Sequence, residues 1–443
     1  MMQFLKPERS VSGLILVSLI CLPYSIYLGL AGLFIFMGLM LYRYGSDFGQ
    51  LLWQQGFVLL GAAMALNVIW ASFHGEALLQ LTNFLPYFGL FAACSIFLRR
   101  AAAPVEVLER WAIGLVLATI PINLWAGVEY WLRSPAMMAR LIERDRWRNF
   151  YQLYYGHRAY AVFHHPNVMA CFLVMVFGVA LGVVLYRLNR AGGQAGDQSV
   201  DKAGNALARP QRVQPVQREV LEWLGLIAAM GLILAGVFFT GSRNGILILG
   251  IQLLCFGWIA RRHRLIAIAG LISLTTLAIS VWGLGIGGRS ISLGIFTDDP
   301  RVLVWQFAGR YIQQRPLQGW GLGSYKLMYV PGSIPGYENI NHAHNFWVTL
   351  AAEAGLPTAI LFTVIIGRLC YEAVRFHIQQ PSIVQDQYSQ DQYIFVGYGL
   401  AFLGVCLFSL FDVPLFDARI NVMGWLSLAG FAAVGTFKPT SSY

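Results

Sequence analysis

The feature that most limits how this chain can fold is a recurrence of apolar stretches, close to twenty residues long, between residues 10 and 437. A helix of that length matches the hydrocarbon thickness of a bilayer. Backbone groups in lipid must satisfy one another, so stretches of this kind fold as α-helices. They fall near 10–22, 27–42, 54–73, 82–98, 108–132, 166–187, 219–239, 244–260, 265–286, 345–367, 393–411 and 418–437. The expected fold is an all-α integral membrane protein, a single polytopic domain over 1–443 with about twelve transmembrane helices. The first two spans are one continuous apolar run that Leu22-Pro23-Tyr24 has to turn.

Composition agrees. Of 443 residues, 57% are hydrophobic and only 12% charged, with mean hydropathy +0.59, against about 25% charged residues in soluble domains. Cys21, Cys94, Cys171, Cys255, Cys370 and Cys406 are scattered through apolar segments and read as small hydrophobes, with neither disulfide nor thiol–metal spacing. Lys6 and Arg9 precede an apolar run that leads straight into more membrane, so no cleavable leader is expected. The excess charge of +10 suits anionic lipid or phosphate. No nucleic-acid motif, nucleotide fingerprint, Gly-x-Ser-x-Gly or phosphate-binding glycine loop occurs, which leaves nucleic-acid, hydrolase and ATPase readings without support.

Basic residues in short connections orient the spans. Lys6 and Arg9, Arg99 and Arg100, and Arg261, Arg262 and Arg264 all fall on the cytoplasmic side if both ends are inside. The stretch 188–218, rich in Gly, Gln, Ala and Pro, reads as a disordered cytoplasmic linker. Two long segments, 133–165 and 287–343, then lie outside as periplasmic loops. The first carries Arg133, Arg140, Arg144, Arg146, Arg148 and Arg158; the second carries Arg289, Arg301, Arg310, Arg315 and Lys326. Within the second, Asp299 and Pro300 form a helix start, and Val302, Trp305, Ala308 and Ile312 share one face. An amphipathic helix near 300–314, lying on the membrane surface, is expected. Asp298 and Asp299 read as capping residues, with a divalent metal as the alternative.

Three positions stand out chemically. Arg243 sits in the tight turn Thr240-Gly241-Ser242-Arg243-Asn244 between two apolar helices. It is either an interfacial anchor or a guanidinium aimed at phosphate. Arg301 stands in the first turn of its helix, where the helix dipole gives a cation nothing. The segment Asn339 to Asn345 places His342 and His344 among three asparagines at the mouth of an apolar helix. One asparagine suffices for a cap; the excess points to a site. Zinc is not expected, because Glu338 is the only nearby carboxylate and no third ligand has fitting spacing. A histidine in that setting suits a proton acceptor near neutral pH.

Together these residues resemble the O-antigen ligase family, in the superfamily it shares with O-antigen polymerases. Arg243-x-x-x-Leu247 resembles the family's Arg-x3-Leu, and His344, ten residues before Gly355, its His-x10-Gly with the ending Glu353-Ala354-Gly355-Leu356-Pro357. Arg301-x-x-x-Trp305 and the run Arg315-Pro316-Leu317-Gln318-Gly319-Trp320-Gly321-Leu322-Gly323-Ser324-Tyr325 resemble its loop helix and the Pro-Leu-x-Gly-x-Gly turn after it. Phe163-His164-His165-Pro166-Asn167 resembles its Asn-containing start of a middle helix. The likeness covers roughly 158–367.

The resemblance implies a glycosyl transfer that needs neither metal nor cofactor. A glycan carried on undecaprenyl pyrophosphate moves to a hydroxyl of the lipid A core, on the periplasmic face of the bacterial inner membrane, in lipopolysaccharide biosynthesis. Arg243 and Arg301 would stabilise the leaving pyrophosphate and His344 would act as base. Asn341, His342 and Asn345 would orient His344 or the sugar, and Arg158 and Asn167 would bind substrate. Trp320 and Tyr325 offer a sugar-stacking platform or pack in a core. Partners are the lipid-linked donor, the lipid A core acceptor and membrane lipid; a monomer is compatible. An O-antigen polymerase joining repeat units is the alternative within the class. A small-anion (bicarbonate-like) transporter is the alternative outside it, which calls for ionisable groups at mid-membrane and paired broken helices.

Overall fold

A computed structural model describes residues 7–134, 137, 156–201, 216–260, single positions between 268 and 279, and 301–334, 338–378 and 385–433. Among the described residues all regular structure is helical. Five helices among the described residues are long and apolar enough to cross a membrane: Ile26–Gln54, His74–Arg100, Pro104–Leu132, Pro166–Arg190 and Val220–Phe239. Arg9–Cys21, Phe57–Trp70, Arg243–Ile259 and Gln392–Phe408 are shorter and apolar. The chain turns at Leu22–Ser25 as Pro23 requires. The span expected at 265–286 and the residues Asp298, Asp299 and Pro300 lie outside the described residues, single positions aside. Where one span was expected at 345–367 there are two helices, Phe346–Ala354 and Leu356–Ile378, broken at Gly355. The helix Pro166–Asp201 continues past 188, where the linker was expected to begin, and 202–215 lie outside the described residues.

The chain divides into two compact units. The first comprises Met1–Ala102, Ser290–Arg375 and Phe402–Tyr443. Its core is aromatic: Phe57, Phe88, Phe91 and Trp425 meet with ring centroids 5.0–6.1 Å apart. Such pairs contribute about 0.5–1.5 kcal/mol each beyond burial, and in lipid close packing is what holds helices together. The helix Arg301–Gln314 forms at the expected place, and of its expected face Ala308 and Ile312 pack inward while the buried stripe is turned toward Val304 and Phe307. Val304, Phe307, Ala308 and Tyr311, at i, i+3, i+4 and i+7, pack on Tyr325, Tyr329, Ile340, Ala343 and Ala352, and Val302 is left 38% exposed. Two aromatic side chains on this stripe outweigh the smaller Val302 face.

The second unit comprises Ala103–Arg289 and Phe376–Ala401. Its centre is the Pro166–Asp201 helix, buried along most of its apolar length. Gly182 lets that helix meet Gly397 backbone to backbone: a Cβ at Gly182 would lie 2.5 Å from the Gly397 Cα. Small residues at four-residue spacing, Gly178 and Gly182 against Gly397 and Ala401, make the crossing a close one. Buried Gln252 ties it further, its Nε2 donating to the carbonyls of Val174 (3.1 Å) and Leu400 (3.0 Å). At the helix's far end Arg187 pairs with Glu109 (2.7 Å) and Glu222 (3.3 Å). All six cysteines are free thiols, as their spacing suggested.

Candidate functional site

The Phe346–Ala354 helix positions the histidines. Asn345 is its N-cap: its Oδ1 accepts from Val348 N at 3.0 Å, and its Nδ2 donates to Leu410 O at 2.9 Å. Phe346 N donates to Ser409 O at 2.9 Å. Thr349 Oγ1 accepts from Ala343 N (3.0 Å) and donates to Asn345 O (2.8 Å). The capping role raised by the sequence is therefore real for Asn345, and it seats the histidine segment on the turn that follows Phe408.

That turn brings in a residue the sequence reading missed. Asp412 Oδ1 stands 3.7 Å from His342 Nε2 and 3.7 Å from His344 Nδ1. The carboxylate is itself fixed, accepting from Val413 N at 2.9 Å. His342 Nδ1 accepts from the backbone N–H of His344 at 3.2 Å, so neutral His342 carries its proton on Nε2, toward Asp412. His344 has φ 49, a left-handed backbone that costs a non-glycine residue of order 1–3 kcal/mol and clusters at functional sites. With a carboxylate facing Nδ1, the neutral tautomer protonated there is favoured, and Nε2 is then the ring's acceptor nitrogen. His342, His344 and Asp412 also offer three ligand atoms within 4.8 Å of one another, the donor set of a three-ligand metal site. The third group lacking in the sequence reading is thus Asp412, and Glu338 is exposed.

The far end of the same helix is held by a clasp. Gly319, Gly321 and Gly323 all have positive φ, and a Cβ at Gly319 would lie 2.3 Å from the Glu353 carbonyl oxygen. Trp320 N donates to Ala352 O (3.1 Å) and Gly321 N to Glu353 O (2.8 Å). The buried Glu353 carboxylate accepts from Tyr325 N at 3.2 Å and from the Gly323 backbone. Asn67 staples both strands of the clasp: its Nδ2 donates to Gln318 O (2.6 Å) and Glu353 O (3.1 Å), and its Oδ1 accepts from Leu322 N (3.0 Å). The glycine turn and the Glu-Ala-Gly-Leu-Pro ending, read as separate motifs, are one device that fixes the helix that follows His344.

Arg301 heads the helix whose Val304 and Ala308 share a buried cluster with Ile340 and Ala343, on the segment leading to His344. Asn341 is exposed. Trp320 is half-buried, with Nε1 donating to Tyr311 O at 3.0 Å and the Arg315 guanidinium 4.1 Å from its ring centre. Tyr325 is fully buried and donates to Val304 O at 3.2 Å; burial above all, with Tyr311, Tyr329 and Glu353 nearby, pushes its phenol up from the ordinary value. It is a core residue, the second of the two roles open to it, because its hydroxyl and ring are both spent on the Arg301 helix.

In the second unit, Arg243 opens its helix behind the N-cap Ser242, whose Oγ accepts from Gly245 N at 3.3 Å. The turn before it is clamped by Arg158, which is buried: Nε donates to Thr240 O (2.7 Å) and Nη2 to Asn167 Oδ1 (2.7 Å). Ala159 N adds a bond to Phe239 O at 2.9 Å. Beside it, Glu129 pairs with Arg133 at 3.0 Å and accepts from Tyr160 N and Ala161 N at 3.0 and 2.7 Å. Arg158 and Asn167, expected at substrate, are thus brought together as partners that shape the turn carrying Arg243. The rest of 133–165 ahead of residue 156 is mostly outside the described residues.

Apolar helices of membrane-crossing length point to a multi-pass membrane protein; its first unit carries a His–His–Asp cluster at a helix mouth, and its second an arginine that opens a helix. Residues 228–363 match the family described as O-antigen ligase. The match supports a glycosyltransferase of the O-antigen ligase and polymerase type. It takes in Arg243, Arg301, His344 and the clasp; Arg158 and Asn167 precede it and Asp412 follows it. No curated protein matches the chain.

Proposed function

We propose that the protein is a ligase that moves a glycan from undecaprenyl pyrophosphate to a hydroxyl of the lipid A core, on the periplasmic face of a bacterial inner membrane. The observation that carries this reading is His344, held in a left-handed backbone at a helix mouth with Asp412 Oδ1 3.7 Å from its Nδ1. The acceptor hydroxyl attacks the anomeric carbon and loses its proton to His344. The bond from that carbon to the pyrophosphate oxygen breaks, and undecaprenyl pyrophosphate leaves with the electron pair. His344 is the general base. Arg301 offsets charge on the leaving phosphate, as guanidinium groups do in bidentate contacts. Arg243 is assigned the same task by its motif. No metal is required, because fixed cations take the place of one. Asn341 and His342 border the sugar.

The test uses purified full-length protein, a synthetic undecaprenyl-pyrophosphate glycan and two acceptors, the lipid A core and a second donor molecule. Glycan on the core supports a ligase. Longer donor-linked glycan would make the protein a polymerase, and no product on either acceptor would sink glycosyl transfer altogether.

A further inference from the structure

The second unit buries an arginine whose donors the chain does not use up. Arg133 is the C-cap of the helix Pro104–Leu132 and is 8% exposed. Its Nη2 pairs with Glu129 at 3.0 Å, and its guanidinium lies 4.6 Å from the centre of the Tyr160 ring. A cation at a helix C-terminus, one turn after a carboxylate, is favourable in itself. That accounts for the charge and for Nη2. It leaves Nε and Nη1, both buried and, among the described residues, without a hydrogen-bond partner. A buried donor left in that condition is costly, more so on a charged group, and calls for an explanation.

Glu129 does not supply the further acceptors. Its Oε1 faces Arg133, and its Oε2 accepts from Tyr160 N (3.0 Å) and Ala161 N (2.7 Å). Ala161 has φ 47, a strained backbone for a residue with a Cβ. One carboxylate therefore holds both the arginine and a strained turn, and strain of this kind gathers at ligand sites. Two residues before Tyr160, Arg158 grips Thr240 O in the turn that carries Arg243. We infer that Arg133 binds a phosphate oxyanion. A water or a sugar hydroxyl meets one N–H; a phosphate brings several oxygens and the charge that suits a permanent cation. The phosphate is the donor's pyrophosphate or a phosphate on the lipid A core, an assignment to substrate that rests on the function proposed above.

Arg133→Lys is the discriminating variant. It keeps a cation four residues after Glu129 and removes the guanidinium donors. Arg133→Gln, which leaves Glu129 without its counter-charge, shows what loss of the pair does to folding. Full-length protein in phospholipid-free detergent is titrated at equilibrium with sugar-free undecaprenyl pyrophosphate, with the lipid A core, and with the same core after its phosphates are removed. Arg133→Lys is expected to melt close to wild type. It should bind one of the two phosphorylated ligands about 10- to 100-fold more weakly, the worth of one or two charge-assisted hydrogen bonds. The ligand that loses affinity identifies the source of the phosphate. Wild-type affinity of Arg133→Lys for both, or an equal loss for the dephosphorylated core, overturns the site. A lowered Tm in either variant with every affinity unchanged makes Arg133 a structural residue and overturns it too. Binding is read without turnover, so the two readings fail separately. Phosphate affinity that depends on Arg133 in a protein that transfers no glycan upholds the site and sinks the proposed reaction. Transfer that proceeds with binding indifferent to Arg133→Lys overturns the site and leaves the reaction standing.

Discussion

Asp412 and His344 face each other, with Asp412 Oδ1 3.7 Å from His344 Nδ1, although one precedes the last helix and the other stands before the Phe346 helix. Separations of this kind tighten when substrate arrives. Asp412→Asn keeps the shape and removes the charge. The single-turnover rate is expected to fall about 10- to 100-fold, the usual cost of losing a group that orients another. Donor affinity should not change. In a His344→Ala background the same change should add little, since the pair acts as a unit. Fully additive losses would show that Asp412 does not work through His344.

Arg158 bears on Arg243 through the backbone. Its bond to Thr240 O is 2.7 Å, and the guanidinium is buried. Hydrogen bonds from charged groups contribute about 1.5–3 kcal/mol, so Arg158→Ala should lower Tm by several degrees and weaken donor binding as well. Arg243→Ala should slow turnover by roughly 100- to 1000-fold, the cost of one positioned charge donor. Arg243→Lys should recover only part, because an ammonium cannot make the bidentate contact. Thermal unfolding and donor titration of the three variants separate the roles. A drop in Tm for Arg158→Ala with donor binding intact would confine that residue to stability.

The clasp predicts where the first unit breaks. Asn67→Ala leaves Gln318 O, Glu353 O and Leu322 N without that partner, at about 1–3 kcal/mol for each group left unsatisfied. Gly319→Ala meets both a φ of 66 and a Cβ 2.3 Å from a carbonyl oxygen, so backbone must move. Both variants should unfold at lower temperature than wild type in detergent, Gly319→Ala at the lowest. Wild-type melting of either would contradict the clasp.

Much of this was legible in the sequence. Apolar length pointed to the apolar helices, five of them long enough to cross a membrane among the described residues, Pro23 to the first turn and Asn345 to the cap, because each depends on residues next to it. What could not be read depends on distant partners. Gly355 breaks an apolar run with a φ of 84, and the Leu317 carbonyl oxygen would lie 2.1 Å from a Cβ there, a partner 38 residues away in the chain. Asp412 lies beyond another apolar helix; an acid in the short connection 412–417 on the same expected side as His344 was the signal available. The choice for Tyr325 between platform and core stayed open in the sequence, because a glycine-rich loop gives no sign of its own core. The bonds from Arg158 to Thr240 and Asn167 were not legible, because a lone arginine does not announce its acceptors.

Metal dependence distinguishes two uses of one cluster. His342, His344 and Asp412 place three ligand atoms within 4.8 Å, yet the proposed chemistry asks His344 for a free ring nitrogen. Transfer is expected to survive exhaustive chelation. Activity lost to EDTA and restored by a divalent ion would make these three residues metal ligands and retire His344 as the base.

The most direct test is a paired measurement on His344→Ala, donor affinity by equilibrium binding and the single-turnover rate at saturating donor. Removing a general base costs about 100- to 10,000-fold in rate, and donor binding, which depends on the phosphate-holding cations, should stay near wild type. Loss of donor affinity with an unchanged single-turnover rate would contradict the base assignment and move His344 to the pyrophosphate-binding groups, with His342 the next residue to test as the base.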